Sequence, residues 1–166
     1  APSNWAIAGF ALALGLVTFV VRIWFPVGEE FRLLGIQLAH FPQYIAMFIV
    51  GIVAYRRNWF AALTVGQAKV WLGIVVLLLL LFPLLFVAAG ALEGNADVAM
   101  GGPGWQSLAY SVWEQFMCLA MVVTLLVWFR RKFNRQGSLA RNMSAAAYAT
   151  YIFHRPVITL LALAWA

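Results

Sequence analysis

The stretch "VWLGIVVLLLLLFPLLFVAAGAL", residues 70–92, decides the fold class because it is long, apolar and free of charged side chains. A helix that crosses a membrane needs about 20 mainly apolar residues. A helix that is apolar on every side must be covered by lipid or by other protein. The stretch therefore predicts a membrane-spanning helix.

The composition of the whole chain supports the same class. Of the 166 residues, 65% are hydrophobic and 10% are charged, and the mean hydropathy is +0.91. A soluble domain has about 25% charged residues. This chain has too little polar surface to cover a soluble fold, so we expect an integral membrane protein whose surroundings include the lipid bilayer.

Apolar segments recur along the chain at a spacing that predicts an all-α, polytopic bundle of about five membrane-spanning helices. The second segment could begin as early as residue 31, with a bend at Pro42. We expect residues 1–166 to form a single transmembrane domain. The predicted spans are residues 5–25, 41–55, 70–92, 106–129 and 143–166.

Basic residues predict the orientation of the bundle. The loops after the second and fourth spans hold eight of the eleven basic residues, and under the five-span interpretation they lie on one side: Arg56, Arg57, Lys69, Arg130, Arg131, Lys132, Arg135 and Arg141. Cytoplasmic loops are enriched in lysine and arginine. We therefore expect the amino end in the cytoplasm and residue 166 outside. The net charge of +6 is explained in this way, and no nucleic-acid partner is expected.

The single cysteine and the first residue each carry a limited prediction. Cys118 lies in an apolar run, so we expect neither a disulfide framework nor a metal motif, but a small buried hydrophobic side chain. The chain begins with alanine, and no basic stretch precedes the first apolar run. No signal peptide is visible, and we expect a piece of a longer protein.

Ionisable residues inside spans are costly and usually face a bundle interior or a hydrated cavity. Arg22 lies close to its predicted helix end, so we expect it to extend outward to water. Glu114, beside Gln115, lies about two turns into the fourth helix, where an interhelical ion pair and a substrate-cavity role both fit. His40 lies at the start of the second helix, and we favour a hydrogen bond that starts the helix over acceptor binding.

The fifth predicted span contains a polar, aromatic stripe. Tyr148, Tyr151 and His154 recur every three residues, and Arg155 lies below Tyr148 on the same face. Pro156 frees a backbone carbonyl and favours a kink. We expect this stripe to line a cavity, with His154 and Arg155 facing the bundle interior, and we expect Glu114 to be the carboxylate within reach of Arg155.

Three blocks resemble the later helices of the acyltransferase 3 family, and within it the glucan biosynthesis protein C type. They are "AHFPQYIAMFIVGIVAYRRNW" at 39–59, "WEQFMCLAMVVTLLVWFRRKFNRQG" at 113–137 and "YATYIFHRPV" at 148–157. The resemblance covers most of the chain from about Phe31 onward. The blocks occur in the same order as in the family, with matching basic loops between them.

The resemblance implies a bacterial inner-membrane enzyme of about ten helices, of which this chain corresponds to the carboxyl-terminal half. Such an enzyme moves an acyl group, of acetyl or succinyl type, from a cytoplasmic donor such as acyl-CoA to a hydroxyl of a glycan or another envelope molecule. No covalently bound cofactor and no metal is implied. The family places a catalytic histidine with an arginine partner on its first helices, and the spacing after Arg22 offers no such pair.

Acyl transfer needs a base for the acceptor hydroxyl and a donor for the oxyanion. The catalytic candidates are His154, Arg155 and Glu114, and the substrate-cavity candidates are Tyr148, Tyr151, His40 and Gln115. The alternative is a non-catalytic transmembrane subunit that packs against membrane-protein partners. A transporter has less support, because no pair of broken helices repeats in the two halves.

Overall fold

The computed structural model describes residues 1–29, 36–94, 96–133 and 137–165. Within these ranges the chain is helical and contains no strand, which confirms the predicted all-α class. Contacts divide it into two compact units, Ala1–Trp128 and Phe129–Ala166. The helices are α1 Asn4–Trp24, α2 Phe41–Arg56, α3 Trp59–Ala62, α4 Val65–Ala88, α5 Trp105–Lys132 and α6 Ser138–Trp165.

Four helical segments are long and apolar enough to cross a membrane: Asn4–Trp24, Leu38–Arg56, Val65–Ala88 and Trp105–Lys132. They correspond to the first four predicted spans. The fifth predicted span is also a helix, α6, and its apolar part within the described residues is Pro156–Trp165. This helix continues through Pro156.

The start of α4 differs from the prediction because a capping box begins the helix early. Thr64 Oγ1 accepts a hydrogen bond from Gln67 N at 3.2 Å, and Thr64 N donates to Gln67 Oε1 at 3.1 Å. This reciprocal pairing satisfies two backbone donors that a helix start leaves open. Lys69, predicted to lie in a loop, therefore belongs to the second turn of α4.

The start of α2 is set by Pro42. A short 3₁₀ turn at Leu38–His40 leads into α2, and Pro42 occupies the first turn of that helix. Proline fits this position because the missing N–H would have no intrahelical partner there. Pro42 thus begins the helix instead of bending it. The alternative start at Phe31 lies outside the described residues.

The apolar core of the first unit lies where α1, α4 and α5 meet. Ala11 and Ala120 are fully buried, and small side chains of this kind allow helices to approach closely. Trp71 of α4 is also buried, and its Nε1 donates to Asn4 Oδ1 at 3.2 Å. The core therefore ties the beginning of α4 to the beginning of α1.

Hydrogen bonds between connecting segments define two opposite ends of this unit. At one end, Val27 N donates to Met100 O at 2.8 Å, and Gly102 N donates to Arg22 O at 3.1 Å. We call this the connection end. At the other end, Gln67 Nε2 donates to Pro2 O at 2.9 Å. The pairing agrees with helices that alternate in direction along the chain.

Helices α1 and α5 cross at Gly15, and this contact leads to a testable prediction. A Cβ atom added at Gly15 would lie 2.9 Å from Val112 Cα, which is backbone and has little room to move. We expect Gly15→Ala to destabilise the protein by about 1–3 kcal/mol, as overpacking of a close-packed site does. The measurement is the thermal unfolding of the intact gene product in detergent. Gly9→Ala is the control, since nothing lies within 4 Å of an added Cβ at Gly9. Equal unfolding temperatures for the two variants would contradict the crossing.

Candidate functional site

Arg22 lies in the interior of the first unit, and the prediction that it extends outward to water is wrong. Its side chain is fully buried. Side chains of an α-helix lean toward the amino end of their helix. Because Arg22 lies in the last turn of α1, this lean directs the guanidinium into the bundle, although its backbone carbonyl contacts Gly102 at the connection end.

The guanidinium of Arg22 is held by three side chains of α5. Its Nη2 donates to Glu114 Oε2 at 2.5 Å, and its Nη1 donates to Ser111 Oγ at 3.3 Å. Its Cζ lies 5.3 Å from the centre of the Tyr110 ring, in a cation–π contact. A buried charge requires such compensation, because desolvation of an unpaired ion is expensive.

His40 completes the cluster from the start of α2. Its Nδ1 lies 3.4 Å from Arg22 Nη2 and 3.4 Å from Glu114 Oε1. His40 is the N-cap residue of α2, but its side chain makes no capping hydrogen bond. The favoured prediction for His40, a hydrogen bond that starts the helix, is therefore wrong. We call Arg22, Glu114 and His40 the charged cluster.

The two contacts of His40 Nδ1 correspond to two tautomers. An arginine only donates hydrogen bonds and a carboxylate only accepts them. A protonated Nδ1 therefore pairs with Glu114, and an unprotonated Nδ1 pairs with Arg22. In the first tautomer the Nε2 atom carries the lone pair, so it can accept a proton from a substrate.

The charged cluster is partly accessible. About a fifth of the side chain is exposed at His40 (21%) and at Glu114 (19%), whereas Arg22 has no exposed side-chain surface. Arg22 is thus the buried anchor, and the other two members can be reached from outside. Both alternatives considered for Glu114 stay compatible with this arrangement, since the carboxylate forms an interhelical ion pair and also touches a histidine that can accept a proton.

An amide layer lies next to the charged cluster, formed by Gln43, three residues after His40, and Gln115, which directly follows Glu114. Gln115 Nε2 donates to Gln43 Oε1 at 3.3 Å, and Gln43 Nε2 donates to Cys118 Sγ at 3.1 Å. Gln115 is fully buried, and its Oε1 has no hydrogen-bond partner among the described residues. Cys118 is partly exposed and accepts a hydrogen bond, so it is not the simple buried hydrophobic side chain that was predicted.

Buried hydroxyl groups continue the polar face of α5 toward the connection end. Ser107, Ser111 and Gln115 recur every four residues and are fully buried. Thr18 of α1 is buried one turn before Arg22, and neither Thr18 Oγ1 nor Ser107 Oγ has a hydrogen-bond partner among the described residues. Spacing of four puts such residues on one helix face. That spacing is the sequence signal that could have identified Ser111 as a partner for a buried charge.

Aromatic side chains of α4 and α5 extend from the charged cluster through Tyr110. The rings of Tyr110 and Trp113 are stacked with centres 6.0 Å apart, and Trp113 lies 4.6 Å from Phe82. Trp113 Nε1 also donates to Leu78 O at 2.9 Å, five residues before Pro83. These contacts fix the rotation of α5, and with it the direction in which Glu114 projects.

The candidates on α6 belong to the second unit. His154 Nδ1 lies 2.5 Å from the backbone oxygen of Tyr151, and the two rings have centres 5.6 Å apart. Tyr148 lies one turn earlier on the same helix. The side chain of Arg155 lies outside the described part of the structure. A cavity role for these four residues stays a prediction.

Both oxygens of the Glu114 carboxylate are contacted by residues of the first unit. Arg22 and His40, which are separated from Glu114 by 92 and 74 positions of sequence, hold its two carboxylate oxygens. An arginine and a histidine therefore do meet in this chain, across α1 and the start of α2, although their separation of 18 residues gave no sequence signal.

Comparison with known proteins gives the family. A family model described as an acyltransferase domain matches residues 3–165. No curated protein and no solved structure matches the chain. The matched segment begins well before residue 31, where the resemblance of the sequence blocks begins. Because it covers nearly the whole chain, the protein belongs to the acyltransferase 3 family, as the sequence blocks predicted.

Proposed function

We propose that the protein takes part in O-acyl transfer at a membrane, from a cytoplasmic acyl-CoA-type donor to a hydroxyl group of a glycan or another cell-envelope molecule. The observation that carries the proposal is the contact of His40 with Glu114 beside the buried Arg22. Membership of an acyltransferase family supplies the reaction class. The bacterial inner membrane and an acetyl or succinyl group follow from the resemblance and are part of the proposal.

The proposed base is His40. In the tautomer with a protonated Nδ1, Glu114 Oε1 lies 3.4 Å from that nitrogen and orients the ring, and Nε2 is then free to take the proton of the acceptor hydroxyl. The hydroxyl oxygen attacks the carbonyl carbon of the donor thioester, an ester C–O bond forms, and the C–S bond breaks. The proton on Nε2 passes to the leaving thiolate, so the products are an acyl ester and a free thiol.

Arg22 and Ser111 have a positioning role in this proposal. The ion pair holds the Glu114 carboxylate in one orientation, while Ser111 Oγ accepts a hydrogen bond from the other end of the guanidinium at 3.3 Å. Because the carboxylate already holds the histidine in place, less entropy is lost when the acceptor hydroxyl is brought to it. The cluster is thus organised before the substrate binds.

A transfer assay tests the proposal directly. Membranes from cells that express the intact gene product, and from cells that lack it, receive acetyl-CoA or succinyl-CoA with a radioactive acyl group. We expect radioactive ester on envelope glycan only where the gene product is present. Equal ester formation in both membranes, with normal amounts of folded protein, would contradict the proposal and favour the non-catalytic subunit.

A further inference from the structure

A second feature of the first unit lies on the far side of the amide layer from the charged cluster. It is a cavity of about 230 Å³ among α1, α2, α3 and α5. Its walls include Phe10, Met47, Val50, Leu119 and Val123, and every side chain that lines it is apolar or aromatic. A cavity of this kind does not hold ordered water, because water needs two or more polar partners.

The cavity extends from the amide layer to the end of α2. Met47 lies one turn after Gln43, and Ala54 lies two turns after Met47. Met47 and Arg56 are nine positions apart, which corresponds to about 14 Å of helix. The hydrocarbon core of a bilayer is about 30 Å thick, so this depth corresponds to a single leaflet.

Positive charge lies at the end of the cavity that is farthest from the amide layer. Arg56 and Arg57 fall between the lining residues Ala54 and Trp59, and both are exposed. Lys69 of α4 is exposed at the same end of the unit, where Gln67 contacts Pro2. Basic residues at the end of an interhelical cavity are the arrangement that attracts anionic lipid head groups.

We propose that this cavity binds one acyl chain of an anionic phospholipid, whose phosphate group is held at Arg56 and Arg57. An apolar cavity of about 150 Å³ holds benzene, so by proportion this one accommodates about nine carbons of an aliphatic chain. The pantetheine arm of a coenzyme A thioester carries two amide groups and is a poor occupant, since the indole of Trp59 is the one lining side chain with a hydrogen-bonding group. The inference does not rest on the proposed acyl transfer.

The test uses phosphatidylglycerol with a photoreactive diazirine in the middle of one chain. The intact gene product is reconstituted in phosphatidylcholine vesicles with this probe, and the attached label is located by mass spectrometry. We expect label on residues 47–54 of α2 and 119–126 of α5 at least fivefold above the label on α4. Unlabelled phosphatidylglycerol should compete with the probe, and excess phosphatidylcholine should not.

Variants separate the chain from the head group. Val50→Phe, or Val122→Phe from the opposite wall, should fill the cavity and lower the labelling at least fivefold, whereas Val76→Phe, on an exposed position of α4, should leave it unchanged. Replacing both Arg56 and Arg57 by glutamine should lower the preference for phosphatidylglycerol by about an order of magnitude. Arg141→Gln is the matched control.

Three results would overturn the inference. Label spread evenly over the exposed apolar residues would mean ordinary bilayer contact. Equal competition by phosphatidylcholine would remove the head-group site. Stronger competition by octanoyl-CoA than by phosphatidylglycerol would make the occupant an acyl donor. Normal labelling of an unmodified protein that shows no acyl transfer would contradict only the proposed function.

Discussion

Replacement of Arg22 by methionine should destabilise the protein by about 3–5 kcal/mol, because the change leaves the carboxylate of Glu114 without its buried partner. A loss of this size is a large fraction of the stability of a typical domain. The measurement is the amount of folded protein in detergent and its unfolding temperature. Arg56→Met, at an exposed position, is the control and should change stability by no more than about 0.5 kcal/mol.

A paired substitution distinguishes the ion pair from other contacts of Arg22. When both members of a buried pair are replaced by apolar residues of similar volume, much of the stability returns. We therefore expect the double variant Arg22→Met with Glu114→Met to be clearly more stable than Arg22→Met alone. A double variant that is as unstable as the single one would show that Arg22 stabilises the protein through another interaction. The claim that the Arg22–Glu114 ion pair accounts for the loss would then be wrong.

His40→Ala should lower the rate of acyl transfer by about 10²–10⁴-fold, the range that a positioned general base contributes. Its side chain is 21% exposed and makes no capping hydrogen bond, so we expect little change in folded protein. The assay compares kcat at saturating donor and acceptor in membranes with equal amounts of protein. A loss of folded protein in place of activity would indicate a structural role.

His154→Ala is the matched comparison, because His154 is the other of the two histidines in the sequence. If the reaction is centred on the charged cluster, this variant should retain far more activity than His40→Ala. The opposite order would place the reaction on α6, which carries two of the three catalytic candidates named from the sequence, His154 and Arg155.

The helices could be predicted from the sequence because a long apolar run has few alternatives in a membrane. Their bounds were less accurate where polar side chains set them. The Thr64–Gln67 capping box moved the start of α4 five residues ahead of the predicted residue 70. Pro42 lies in the first turn of α2, where proline is favoured, and does not bend the helix as predicted.

The charged cluster could not be predicted as a unit, for two physical reasons. Its members come from α1, α2 and α5, and which helices are neighbours depends on packing that periodicity does not encode. Closeness to a helix end also did not bring Arg22 to water, because a side chain in the last turn leans back toward the middle of its helix. Glu114 was correctly singled out as a residue that requires a partner, but the partner expected for it was Arg155, whereas the structure gives Arg22 and His40.

A double-mutant cycle between His40 and Glu114 tests the central claim most directly. In the Glu114→Gln variant an amide N–H can donate to His40 Nδ1. This favours the tautomer with a protonated Nε2, so Nε2 can no longer act as the base. An asparagine in place of the aspartate of a serine-protease triad has the same effect. We predict that Glu114→Gln lowers kcat/KM at least tenfold when His40 is present and by less than twofold when residue 40 is already alanine. Equal effects of Glu114→Gln in both backgrounds, or normal transfer by His40→Ala, would contradict the account.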